Sequence, residues 1–347
     1  MLASYEHWLR ANFLFAATDD LRAIVGIGLC AAMFACATPA EHSNPLDPES
    51  PNFTKQGVLR GQVTTIYQPY QALAGANVHL QPLGISLQSD SEGRFVFGKL
   101  DSGSYVVVAA KPGYTTLQRN AKVIAREDRA LEMRLDGLPV VASAKITSAR
   151  VVTREASAPR LFLEIAAEVT DPDGANDIQR VLIKMPGRAA PDSLTRASGL
   201  ASWQRIFSSD SLAPLNLHNL VGASLEITAE DGAGEKAASQ AFQLARLITE
   251  EPQPVYPING EVFPRSNNER NLRWQLPAIA FDHSVRVEVY RLDAGFPVLI
   301  LTANLRVGAV SLPYPGSLTS GTYYWTVKVL DGFGNSSRSK EATFQVQ

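Results

Sequence analysis

The run Asp171-Pro-Asp-Gly-Ala-Asn-Asp177 is the densest group of chemically capable side chains in the chain. Asp171, Asp173, Asn176 and Asp177 offer hard oxygen donors at a spacing with which a calcium loop can begin. The run lacks the third acidic repeat and the distal bidentate glutamate of an EF-hand. It reads first as a turn whose Asp side chains accept from their own backbone, so no metal and no cofactor is expected, with the calcium loop as the alternative. Aromatic stacking is the second chemistry on offer. Tyr67 and Tyr70 flank Pro69 in a loop, and Trp203 lies in the Ser-, Ala- and Pro-rich stretch 187–217. Exposed rings there could stack on a sugar or anchor a protein partner, although loop tyrosines commonly pack on their own domain.

Catalytic chemistry finds little support. His7, His42, His79, His218 and His283 are far apart, and none opens an H-x-x-E or H-E-x-x-H zinc motif. Neither a G-x-S-x-G elbow nor a G-K-[ST] phosphate loop occurs. Gly232-Ala-Gly-Glu-Lys-Ala237 spells G-x-G-x-x-A, but it sits in a hairpin pattern with no helix to follow. No catalytic residue is therefore expected, and the chain reads as a non-enzyme. A hydrolase of an envelope polymer, with an unrecognised site, is the alternative.

The elements that must position these residues are strands. After residue 55 no apolar repeat at i, i+3, i+4, i+7 is sustained. Short alternating runs are instead punctuated by Gly, Pro, Asn and Asp, as in antiparallel sandwiches. The expected fold is all-β, with three tandem antiparallel β-sandwich domains at 56–137, 138–250 and 251–347. Two echoes support a repeat. Leu100-Asp-Ser-Gly-Ser-Tyr105 matches Leu318-Thr-Ser-Gly-Thr-Tyr323, and Asp231-Gly-Ala-Gly234 matches Asp331-Gly-Phe-Gly334. The Pro-rich segment 249–257 reads as a short hinge. In the middle domain only 161–169, 178–183, 225–229 and 241–244 read as strands, and 187–217 reads as loop.

The 347 residues allow two or three domains, and 32 basic against 34 acidic residues argue against a nucleic-acid partner. The only cysteines, Cys30 and Cys36, precede the body, so no disulfide framework is available to it.

Three resemblances follow from particular motifs. The first is carried by Gly61-Gln-Val63, Gly75-Ala-Asn-Val78, Asp90-x-x-Gly93-x-Phe95, Leu100-x-x-Gly103-x-Tyr105 and Pro112-Gly-Tyr114. In this order they resemble the carboxypeptidase regulatory-like domain, which implies a transthyretin-type seven-strand sandwich with no catalytic role of its own. That domain is often grouped with carbohydrate-binding-like folds, a likeness of fold only. In the second, Trp274 in Leu272-Arg-Trp-Gln-Leu276 and Tyr323 after a Gly-containing turn resemble the core tryptophan and tyrosine corner of a fibronectin type III-like sandwich. The middle domain is expected to be immunoglobulin-like.

The third concerns the N-terminus. The apolar run 24–36 after Arg22 reads as a signal segment, residues 1–35. Its end, Met33-Phe-Ala-Cys36, resembles a bacterial lipobox, which implies that Cys36 is acylated and holds the protein in a membrane through its lipid. Residues 36–55, with Pro39, Pro45, Pro48 and Pro51, then form an extended linker. Ala37 after the cysteine implies outer-membrane sorting. The expectation is a non-catalytic, lipid-anchored lipoprotein of the bacterial cell envelope. Its sandwiches would serve structural or protein-interaction roles, with an envelope protein or polysaccharide as partner. A carbohydrate-binding surface protein is the alternative.

Overall fold

The computed structural model describes residues 44, 47, 49–154, 158–213, 215–264 and 270–347. The signal segment and Cys36 lie outside them. The architecture is nearly all β, with three separate hydrophobic cores along the chain.

Alternation builds the first sandwich. Strand Gln56–Thr65 turns Leu59 and Val63 inward, and it pairs antiparallel with Arg94–Asp101 and parallel with Asp128–Leu135. The facing sheet orders Ile85–Gln88, Asn77–Gln81, Gly103–Ala110 and Leu117–Val123. Between the two sheets lie Leu59, Val78, Leu80, Phe95, Phe97, Val107 and Met133. Gly61 shares the inward face with Leu59 and Val63, and a Cβ there would stand 2.3 Å from the Phe95 ring and 2.4 Å from the Leu131 carbonyl. Close packing of ring on backbone is thus the physical content of the Gly-Gln-Val motif.

The second core lies between one sheet of Asp192–Ser193, Arg180–Lys184, Glu226–Glu230 and Lys236–Ala238 and another of Thr195–Arg196, Ser202–Ser208, Arg160–Thr170 and Val140–Val151. Here the structure corrects the expectation of a loop at 187–217. Ser202–Ser208 is a strand, and Trp203 and Phe207 are buried on one face of it. Its alternation is hidden in the sequence because Arg205 has the inward parity and Ile206, 61% exposed, the outward one. The Arg205 guanidinium instead covers the Phe207 ring.

The third core is formed by Phe263, Leu272, Trp274, Val287, Tyr323, Trp325 and Phe344, with the two indoles in edge contact. Tyr323 donates its hydroxyl to the Thr319 carbonyl at 2.7 Å, and Tyr105 donates to the Asp101 carbonyl at 2.8 Å. The Leu-x-x-Gly-x-Tyr echo is therefore one device used twice, a tyrosine pinning the carbonyl four residues back.

The second and third sandwiches are joined by a common sheet. Ala149–Val151 pairs in parallel with Ser336–Arg338, so ten strands form one continuous sheet. The segment expected as a hinge is pinned as well: Gln253–Tyr256 is a strand paired with Asn271–Gln275, and Glu251 forms an ion pair with Arg150.

Candidate functional site

Three strands of the first two sandwiches end at a common junction. Asp136 follows strand Asp128–Leu135, Asp171 follows Arg160–Thr170, and Asp231 follows Glu226–Glu230. Sandwich loops gather at the ends of the strands, so acids placed one residue past these ends are brought together.

Each acid is held by its own backbone contacts. The Asp136 carbonyl accepts from the Thr115 amide at 2.8 Å, and its amide donates to Thr115 Oγ1 at 3.3 Å. Gly137 then donates its amide to Asp173 Oδ2 at 2.6 Å, crossing from the first sandwich to the second. A Cβ at residue 137 would lie 2.8 Å from Asp171 Oδ1, so only glycine permits this approach. In the acidic loop, Asp173 donates its amide to Asp171 Oδ1 at 2.8 Å, and Asp177 donates its amide to the Gly174 carbonyl at 3.0 Å. Asp231 Oδ1 accepts from the amides of Ala233, Gly234 and Glu235 at 3.0, 2.8 and 2.8 Å. Asp177 Oδ1 accepts from the Gly232 amide at 3.3 Å, and the Tyr67 hydroxyl lies beside the same glycine, next to Asp177.

The expected Asx turn is therefore present, yet it leaves much of the cluster unsatisfied. Both oxygens of Asp136, and Oδ2 of Asp171, Oδ1 of Asp173, Oδ2 of Asp177 and Oδ2 of Asp231, are buried with no hydrogen-bond partner. One oxygen each of Asp136, Asp173 and Asp177 lie within 4.8 Å of one another, and so do those of Asp171, Asp177 and Asp231. Two unit charges at that separation repel by roughly 3–4 kcal/mol at an effective dielectric of 20. The electrostatics follow. Burial first, then the charges of Asp231, Asp173, Asp177 and Asp171, push the Asp136 carboxyl up to about 7. Burial, then Asp177 and Asp173, raise Asp171 to about 6 against the opposing hydrogen bond from Asp173. Asp173 is raised chiefly by burial. Burial and the neighbouring Asp177 carboxylate lift the Tyr67 hydroxyl to about 12, and burial followed by Asp173 and Asp171 raises Tyr114. The guanidinium that reaches this loop, Arg196, donates to the carbonyls of Ala175 and Ile178 and lies over the Trp203 ring.

Such a set of hard oxygens, without nitrogen or sulfur, suits a divalent cation of the calcium or magnesium class. Of the sequence candidates, the structure brings Asp171, Asp173 and Asp177 together and leaves Asn176 exposed. The residues that sequence reasoning missed are Asp136 and Asp231. The signal for them was their position one residue beyond a strand, and for Asp231 also the Asp-Gly-x-Gly echo.

The aromatic candidates fare differently. Tyr67 and Tyr70 are 40% and 42% exposed, but Tyr67 is tied to the acidic junction and Arg134 stacks 4.2 Å over the Tyr70 ring. Trp203, expected on a loop, is 6% exposed and belongs to the second core, so its ring is not presented for stacking. An open groove of about 720 Å³ runs past Arg154, Arg160, Tyr324 and Glu341 at the other junction.

Comparison with known proteins adds the following. Residues 58–136 match the family model of the carboxypeptidase regulatory-like domain. No curated protein matches the chain. Among solved structures, the chain is similar to BcpA, the major pilin subunit of Bacillus cereus, at 10% identity and a TM-score of 0.30, over 84% of this chain and 96% of that one. It is also similar to the chicken CNTN1 FN1-FN3 domains, at 9% identity and a TM-score of 0.32, over 80% of this chain and 93% of that one. Likenesses this distant carry nothing about activity or partner.

Proposed function

Residues 58–136 being a carboxypeptidase regulatory-like domain followed by two further β-sandwiches, we propose that this chain is a non-catalytic protein of the bacterial cell envelope, anchored by lipid at Cys36, whose sandwiches serve as a structural and protein-interaction element. The observation that carries the reading is where the polar chemistry lies. The best-developed clusters of charged and polar groups among the described residues sit at the junctions between sandwiches, where they join one unit to the next. Linked in this way, the sandwiches suit a role of holding surfaces at a distance from an anchor. One such surface is the last strand of the ten-stranded sheet, Phe296–Leu305, where Phe296, Val298, Leu299 and Ile300 are each at least 40% exposed. Apolar side chains on an edge strand support contact with another protein more than turnover of a small substrate.

The anchor rests on the Met33-Phe-Ala-Cys36 motif and the Pro-rich stretch after it. Metabolic labelling with palmitate, on the wild type and on Cys36→Ser, tests it. Label on the wild type alone, with partition into the detergent phase, is the expected result. Label on neither chain overturns lipid anchoring, and turnover of an envelope polymer by the purified protein overturns the non-catalytic role.

A further inference from the structure

The geometry points to a divalent-cation site of the calcium type at the junction of the first and second sandwiches, held by Asp136, Asp171, Asp173, Asp177 and Asp231. It does not depend on the lipid anchor.

The acidic cluster alone would not carry this; the state of Asp136 does. Its residue is 5% exposed, both of its carboxylate oxygens are buried, and neither has a hydrogen-bond donor. One of them faces oxygens of Asp173 and Asp177 within 4.8 Å. A carboxylate is retained in such surroundings when a cation neutralises it. The charges that act on Asp136, Asp171 and Asp173 are other carboxylates, and Arg196 is committed to backbone carbonyls.

The molecule also contains its own control. The hairpins Ile227–Ser239 and Val327–Ser339 have the same internal hydrogen bonds. Ser239 Oγ accepts from the Ile227 amide and Ser339 Oγ from the Val327 amide, both at 3.0 Å. Asp331 Oδ1 accepts from the turn amides of Phe333 and Asn335 at 2.9 and 2.8 Å, as Asp231 Oδ1 does from its own turn. The two differ at the outer oxygen. Asp331 Oδ2 meets Arg246 Nε at 3.1 Å and accepts from Asn335 Nδ2 at 2.9 Å. Asp231 Oδ2 has no partner, and Glu235, which stands where the other turn has Asn335, has no donor to give it. The position that a guanidinium fills at one junction is left at the other to an ion from solution.

Calcium fits better than magnesium. Calcium accepts six to eight oxygens in irregular arrangements, whereas magnesium requires near-octahedral geometry and keeps much of its water. The ligands here come from two sandwiches, so the ion would tie them together, as the shared sheet ties the second to the third.

The test uses the full chain in detergent, stripped with EDTA. Terbium(III), which takes the same oxygen ligands, should give tyrosine-sensitised emission through Tyr67 and Tyr114, and calcium should displace it at lower concentration than magnesium. Calorimetry should show calcium affinity falling about tenfold or more in Asp136→Asn and in Asp177→Asn, since affinity follows ligand charge. In EDTA both variants should melt no lower than the wild type, because each removes a like charge from the cluster. This separates loss of a ligand from loss of folding. Absence of binding up to about 10 mM calcium, beyond the weakest extracellular modules, overturns the site. So does calcium binding that is unchanged in both variants, and equal displacement by magnesium overturns the calcium assignment.

Discussion

Asp231 and Asp331 end equivalent strands, head equivalent Asp-Gly-x-Gly turns and lie at successive junctions of the same chain. Asp331 is paired within the protein with Arg246 and accepts from Asn335 Nδ2, and Asn335 Oδ1 also accepts from the amide and the hydroxyl of Ser148, at 2.9 and 3.1 Å. Asp231 instead faces other carboxylates. The neighbouring strands differ in the same way. Ala149–Val151 and Ser336–Arg338 continue one sheet across the second junction, while the first is crossed by Gly137 donating to Asp173 and by the Tyr67 hydroxyl standing beside Gly232 and Asp177. A turn can thus be conserved in backbone geometry within one molecule while its outer carboxylate oxygen serves either a built-in cation or one taken from solution.

The largest effect is expected at the second junction. Asp331→Ala strips the buried Asn335 side chain and the turn amides of Phe333 and Asn335 of their acceptor and leaves the partly exposed Arg246 without its carboxylate, and buried donors left unsatisfied cost about 1–3 kcal/mol each. Denaturant unfolding should show this loss with or without calcium. Asp231→Ala should cost clearly less in EDTA, because the hydrogen bonds lost from its turn are offset by relief of repulsion. Equal losses in EDTA would break the comparison.

The next effect is on pH dependence. Asp136 and Asp171 are raised in the folded, metal-free chain to about 7 and about 6, from an ordinary value of 3.8. Between pH 4 and 7 the folded state therefore holds protons that the unfolded chain has released. Stability from these groups is fully present below about pH 4 and is lost as the pH rises through 6 and 7. Tyr67 and Tyr114, which also border the cluster, are raised further from that window and stay protonated across it. Thermal melts in EDTA should show the decline, and calcium at pH 7 should reverse it. A metal-free chain that gains stability from pH 4 to pH 7 would contradict the charge assignment.

A smaller effect should follow Glu235→Asn, which copies the donor of the other turn. By offering an amide to Asp231 Oδ2 it should weaken calcium binding several-fold in calorimetry while leaving the unliganded melt unchanged or raised. Unaltered affinity would mean that Asp231 Oδ2 does not face the ion. The smallest effects belong to the tyrosine corners. Tyr105→Phe and Tyr323→Phe each remove one hydroxyl-to-carbonyl bond, Tyr323→Phe also a bond with Thr319 Oγ1 at 3.1 Å, and each should cost about 1 kcal/mol in chemical denaturation, Tyr323→Phe slightly more. A large difference between them would show that the echo in sequence is not an echo in energy.

Much of the fold was legible because its signals are local. Leu59 and Val63, and Val285, Val287 and Val289, alternate with exposed or polar positions and turn inward, as do Phe95 and Phe97 on either side of the exposed Val96. The Leu-x-x-Gly-x-Tyr echo marked two like turns, and in both the tyrosine hydroxyl bonds the carbonyl four residues back, although only Tyr323 was legible as a tyrosine corner. Ser202–Ser208 was not legible, because Arg205 breaks the inward parity and is accommodated only by lying across Phe207. Segment 249–257 read as a hinge because its prolines punctuate the chain, yet Gln253–Tyr256 is a paired strand and Glu251 is held by Arg150. Of the candidate site, Asp171, Asp173 and Asp177 were legible as oxygen donors, but only as a turn in search of further ligands.

The sequence alone determines the turn chemistry of this protein. An Asp followed by Gly-x-Gly captures its own amides whatever surrounds it, since the contacts span four residues, and alternating residues settle which strand face is buried. Tertiary structure decides what each carboxylate meets with its other oxygen. Asp136 and Asp177 are separated by 41 positions in the chain and Asp177 and Asp231 by 54, and no local pattern encodes such distances. Their encounter depends on how the first sandwich is set against the second, and charge interactions depend on separation in space and on the water excluded from it.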